Sequence, residues 1–185
     1  YMQSAWALLP IQHWTEANGA RVWLVHSPAI PMVDVQLDFD AGTRRDPAPQ
    51  AGLAAAAALM SSKGVTAGAA NEPAMDENDL GEAWADLGAS FGAQAGRDSF
   101  QYALRSLTEP DLLERAAQLA ARQIAQPSFP VAVWGSERAR WSAAIKESYT
   151  RPGPVAARAF GSAVYGSHPY GQRPDGQTLA RIAVR

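Results

Sequence analysis

Apolar and polar residues alternate over most of MVDVQLDFD, Met32 to Asp40, the period of two that marks a half-buried strand. Upstream, Ile11–Val25 reads as a hairpin around Asn18-Gly19, since a type I′ turn needs positive φ at both central positions. That turn would pair Ala17 with Ala20 and His13 with Leu24, and would set His26 on the face of His13. AGTRRDPAPQ is a loop with an Asp-Pro and two prolines. Helix signals run from Gln50 to about Lys63, with Gly64 as the C-cap. After a small-residue loop, Thr66–Pro73, a second helix is expected over Met75–Leu87, ending at Gly88. Ser90–Ala95 and Ser99–Ser106 read as strands joined at Gly96-Arg97-Asp98. In EPDLLERAAQLAARQIAQ, the positions Leu112, Leu113, Ala116, Leu119, Ala120 and Ile124 fall on one helical stripe. Pro127 and Pro130 break that helix, and two more follow, Val133–Ser148 and Pro154–Tyr165. The order indicates an α+β fold, a mostly antiparallel sheet covered by helices.

Composition narrows the function. Sixteen basic against eighteen acidic residues, with no clustered basic excess, argue against a nucleic-acid partner. No stretch approaches the roughly 20 apolar residues of a membrane span. The absence of cysteine excludes disulfides, cysteine nucleophiles and thiolate metal sites, and leaves the compartment open.

The run AGLAAAAALMSSKG, Ala51 to Gly64, places consecutive alanines from Ala54 to Ala58 between residues that look chosen for a backbone path. Alanine has the best helix propensity, so a helix persists there while carrying no reactive group. Six stretches in order share a resemblance: NGARVWLVHSP, VDVQLDFDAGTRRDP, AGLA…LMSSKG, LGASFGAQAGRDSFQYAL, FPVAVWGSERARWSAAIK and YGSHPYGQRPDGQTLARI. Together they resemble the N-terminal domain of the insulinase/pitrilysin zinc peptidases, which include the mitochondrial processing peptidases.

The resemblance implies an inverted zinc motif, H-x-x-E-H, on the helix after AGLA. Histidines at i and i+4 share a helix face and hold zinc, and the glutamate between them activates the bound water. On this chain the two histidine positions fall on Ala55 and Leu59 and the base on Ala58. The distal ligand of a pattern like E-R-x-x-x-x-x-E-I, matched from Glu137-Arg138 to Ala144-Ile145, falls on Ala144. All three ligands and the base are replaced, while Glu137 is retained. Gly92-Ala93 also stands where the family usually has Asn-Ala. An alanine-rich core helix that never held metal would have the same present chemistry.

Other candidates carry less. Glu137 is expected to pair with Arg138 or Arg140, and His168 in SHPYGQ to hydrogen-bond backbone in a turn shaped by Gly166, Pro169 and Gly171. His13 and His26 form at most an adventitious metal pair without a third ligand. Of six tryptophans, Trp84 and Trp141 are expected in the core, and Trp6 and Trp14 freer to meet a partner.

The expectation is one insulinase/pitrilysin-type N-terminal domain over residues 1–185, cut before its last strand, with a second similar domain following. Its expected role is a non-catalytic subunit or half of a zinc metallopeptidase assembly, paired with a homologous zinc-bearing subunit. It would supply chamber wall and contacts to extended peptides, with no cofactor of its own and zinc only in the active partner. The resemblance to bacterial members implies a periplasmic or exported location. Two alternatives remain: an active zinc endopeptidase whose metal site lies in a further domain or partner chain, and an edge-strand peptide-binding module. For peptide contacts the candidates are Ser90, Phe91, Gly92, Ala93 and Gln94, on the strand expected to be an edge.

Overall fold

A computed structural model describes residues 10–68 and 72–184, which fall into two units, Tyr1–Met32 and Val33–Arg185. In the first, β1 (Ile11–Thr15) and β2 (Arg21–Val25) form the expected antiparallel hairpin. Its register differs from the expected one. Thr15 faces Arg21 and His13 faces Trp23, not Leu24. Only Gly19 has positive φ, +86°, so Asn18-Gly19 is not a type I′ pair. The loop is longer: Glu16 N–H donates to Ala20 O at 2.8 Å, and Gly19 N–H to Glu16 O at 2.9 Å. One residue of slip moves every later side chain to the other face. His26, just beyond β2, therefore continues the face of Leu24, opposite His13, which removes the diagonal pair. Trp14 is 42% exposed, in line with its freer placement, and Trp6 lies outside the described residues.

In the second unit a three-stranded sheet has the order β3 (Met32–Phe39), β7 (Phe100–Leu107), β6 (Ser90–Ala95), so β3 and β6 are its edges. β6 and β7 pair antiparallel from Ser90↔Arg105 to Ala95↔Phe100. Arg105 donates to Asp34 (2.6 and 3.1 Å) and Gln101 to Asp38 (2.6 Å), tying β7 to β3 on one face. β3 lies where its alternation predicts, yet Val35, Leu37 and Phe39 are more than a third exposed, so it is less buried than the pattern implies.

The helix after the loop is shorter than expected. A 3-10 turn, Ala48–Gln50, precedes α1 (Leu53–Met60), which ends at Ser61 and not at Gly64. Gly64, at φ +138°, lies in a two-residue strand, β4 (Gly64–Val65), paired with β5 (Met75–Asp76). A Cβ on Gly64 would sit 2.7 Å from Met75 O, so close strand pairing, not helix capping, uses this glycine. β5 takes the first two residues of the expected second helix. Asp76 then caps α2 (Glu77–Asp86), accepting from Asn78 N–H and Asp79 N–H, while Asp79 accepts from Asp76 N–H.

α3 (Pro110–Ala125), α4 (Val131–Ser148) and α5 (Pro152–Tyr165) match the expected helices to within two residues at each end. A short α6 (Gly176–Ala180) is additional; the capping signal is Asp175, which accepts from Gln177 and Thr178 N–H. Two apolar clusters result. Trp84, Leu87, Leu104, Ala116 and Ala120 join α2 and α3 to the sheet. Ala56, Met60, Trp134, Ile145, Leu179 and Ile182 join α1, α4 and α6, with Trp141 packed against them. Between them a polar bridge is buried: Trp84 Nε1–H donates to Gln123 Oε1 (3.1 Å), and Gln123 Nε2–H to Ser61 O (3.0 Å). Every polar atom named in it is satisfied, which is what burial demands.

Candidate functional site

α1 is held from behind and below. The buried carboxylate of Asp46 accepts from Gly52 N–H (2.9 Å) and Ala54 N–H (3.0 Å), satisfying two of the donors that a helix start leaves open. Gly52 has φ +100°, and a Cβ there would meet Pro174, Leu179 and Trp141 within 3.4 Å. Ala54, Ala56 and Met60 face inward, each at most 8% exposed. Ala55 and Ala58 lie at half-buried positions, as Leu53 and Ala57 do, and Leu59 is 37% exposed, so none of the three positions is among the fully buried residues of α1. On α4, Ala144 is exposed beside Ile145, which shares a cluster with Ala56. Residues of α1 and α4 thus meet in one apolar cluster, together with Leu179 of α6.

The side chains there do not fit a zinc ion. Methyl and isobutyl groups have no lone pair to donate, and zinc takes nitrogen, sulfur or carboxylate oxygen. Among the described residues no group of three or more His, Cys, Asp or Glu is placed to hold a metal. Glu137 is engaged elsewhere: Arg140 Nη1 donates to both its oxygens (3.2 and 3.1 Å), and Lys63 Nζ lies 3.8 Å away. The same ammonium is 2.6 Å from Glu77 Oε1. Of the two expected partners, Arg138 and Arg140, it is Arg140 that binds, and Lys63 is additional, because nothing in the spacing from 63 to 137 signals a contact.

β6 lies against α1 and leaves one long side unpaired among the described residues. Ser90, Gly92 and Gln94 are exposed, whereas Phe91 and Ala93 are half-buried. Phe91 stacks between Trp84 and Tyr102, with ring centroids 5.5 Å away on each side. β6 has neither charge nor proline, the usual protections of an edge strand.

A second concentration of chemistry escaped the linear reading. At the end of the sheet, Arg44 Nη2 donates to Asp40 Oδ1 (2.5 Å) and Arg44 Nε lies 3.0 Å from Asp98 Oδ1; Arg45 also pairs with Asp40. Tyr170 O–H donates to Asp98 Oδ1 at 2.6 Å, which raises the phenol's pKa, with loss of solvent contact adding to it. His168 Nδ1 accepts from Tyr170 N–H (3.2 Å), the backbone role expected of it. The residues come from three segments far apart in sequence, so only the fold unites them.

No family model and no curated protein sequence matches the chain. Solved structures do. The chain is 30% identical, at a TM-score of 0.85, to a peptidase M16 inactive domain from Pseudomonas fluorescens, covering 95% of this chain and 41% of that one. Pitrilysin follows at 25% identity and a TM-score of 0.68, covering 96% of this chain and 18% of that one. The periplasmic protease PqqL from Escherichia coli matches in fold, at 20% identity and a TM-score of 0.77, over 94% of this chain and 19% of that one. The chain thus spans less than half the length of each of these. The fold is that of the domains found in these M16 peptidase structures. The chain is similar to an inactive domain of the M16 peptidases and to pitrilysin, and Ala55, Ala58, Leu59 and Ala144, where the resemblance puts the zinc motif, lack zinc-binding side chains.

Proposed function

We propose that this chain is a non-catalytic half or subunit of a zinc metallopeptidase assembly, giving chamber wall and peptide contacts to a homologous zinc-bearing partner. One observation carries the reading: the framework matches an M16 inactive domain over 95% of its residues, while Ala55, Ala58, Leu59 and Ala144 replace every group that would bind zinc or activate water. On this reading the domain binds no zinc of its own, and the assembly works in the periplasm, the compartment of the protease PqqL, or another exported compartment.

The neutral open edge of β6 favours a second, compatible role. An extended peptide adds there as a strand, its backbone hydrogen-bonding to β6 and its side chains alternating between faces. Ser90 to Gln94 form the contact.

Elemental analysis of the purified full-length protein, after zinc loading and removal of excess, tests the proposal together with a denatured-protein cleavage assay. The expected result is no retained zinc and no cleavage from this chain alone, with cleavage restored by a zinc-bearing M16 partner. Stoichiometric zinc held by residues 1–185 overturns it.

A further inference from the structure

The sheet ends, where β6 runs into the turn Gly96–Asp98, at a cavity of about 430 Å³. Arg44, Arg45, Asp98, His168, Pro169 and Tyr170 line it. The wall is fixed by backbone, since Thr43 N–H donates to Gly96 O (2.9 Å) and Arg44 N–H to Arg97 O (3.0 Å). Gly42 makes this docking possible: a Cβ there would fall 2.3 Å from Arg97 O.

The hydrogen-bonding account of this cavity does not balance internally. Arg44 and Arg45 line it with one carboxylate, Asp98. Behind the lining, Asp40 pairs with both arginines, and Arg97 stacks over Tyr165 and Tyr170, 5.6 Å from each ring centre, and donates to Tyr165 Oη at 3.4 Å, so three guanidiniums stand against two carboxylates. Each guanidinium has five N–H donors and no acceptor. Asp98 already accepts from Tyr170, and Asp40 is shared between Arg44 and Arg45. His168 adds to the excess. Its Nδ1 accepts from Tyr170 N–H, so the ring proton sits on Nε2 and makes that atom a further donor. The complement of surplus donors with net positive charge is a group that only accepts. A planar carboxylate matches the guanidinium fork in shape as well as sign.

We propose that this cavity is a carboxylate-binding subsite, taking an acidic side chain or C-terminal carboxylate of an extended peptide laid along β6. The peptide half of this statement rests on the edge-strand role above; the carboxylate half rests on the cavity alone. A strand advances about 3.3 Å per residue, so a peptide overrunning Ala95 by one to three residues reaches the turn that forms the cavity wall.

Two measurements on the full-length protein test it. Fluorescence anisotropy compares two labelled extended peptides of one sequence, one ending in glutamate with a free carboxylate, the other in glutamine amide. The acidic peptide is expected to bind about tenfold more tightly, and Arg45→Gln, a change at an exposed side chain, is expected to bring the two together. Equal binding of both peptides by the unaltered protein overturns the subsite and leaves the edge-strand role standing. If neither peptide binds, the edge-strand role falls, and succinate decides the subsite. Followed by the His168 ring proton resonances, a saturable succinate shift that Arg45→Gln abolishes supports it, and no shift overturns it.

Discussion

The segment from Thr43 to Gly52 joins two regions that contrast in almost every respect. At one end Arg44 and Arg45 enter a cluster of guanidiniums, carboxylates, phenols and imidazole. At the other, Asp46 and Gly52 start a helix whose outward positions carry only carbon. The difference shows that scaffold and reactive groups are separable within one element. α1 is anchored by its cap, by Gly52 against Leu179 and Trp141, and by Ala56 and Met60 in the core. None of these anchors is Ala55, Ala58 or Leu59, so the course of the helix does not depend on what those positions carry.

The contrast predicts unequal sensitivity on the two sides of α1. Met60→Ala, opening a cavity in the cluster with Trp134 and Leu179, should destabilise by about 2–5 kcal/mol in urea unfolding. Asp46→Ala removes two hydrogen bonds to a buried helix start and should cost about 2 kcal/mol, with Asp46→Asn recovering part of it. Leu59→His, on the outward side, should cost no more than about 1 kcal/mol. If Leu59→His matched Met60→Ala, the outward side would be structural, and the separation argued above would fail.

Much of this was legible along the chain, for physical reasons. β6 lies at its expected bounds because Gly88 and Gly96 punctuate it, and α3 because its stripe is long and periodic. Positions without zinc-binding side chains could be named because a motif of fixed spacing states which residue types it needs. Short-range geometry was read less well. Asn18-Gly19 gave the hairpin but not its register, since the bend uses one residue more than a type I′ turn. α1 is shorter than its pattern, because alanine and small polar residues continue a helix signal to Lys63, whereas the helix ends at Ser61 and Gly64 pairs with Asp76. The cluster at the sheet end was not legible at all: Asp40, Asp98 and Tyr170 lie too far apart for any periodicity to link them.

The smallest effect is in acid, and it separates the same two regions. Arg45 hydrogen-bonds Asp40 and holds its carboxyl below the ordinary 3.8; partial desolvation opposes this, and the charges of Arg44 and Arg45 add to it. Arg105 does the same for Asp34, chiefly by hydrogen bond. A carboxyl with a lowered folded pKa binds its proton more readily in the unfolded chain, so stability rises with pH across that interval. The contribution is complete above the unfolded value and is lost as pH falls through the folded one, below about 3.8. Urea midpoints measured from about pH 6 down to about pH 2.5 should therefore fall less steeply in acid for Asp40→Asn than for the unaltered protein. The change should shrink in high salt, because Asp40 and both its partners are substantially exposed. Leu59→His adds no carboxylate and should leave this acid limb unchanged. An unaltered slope in Asp40→Asn would mean that Asp40 is not held by its arginines in solution, leaving Arg44 and Arg45 with still more unanswered charge at the cavity they line.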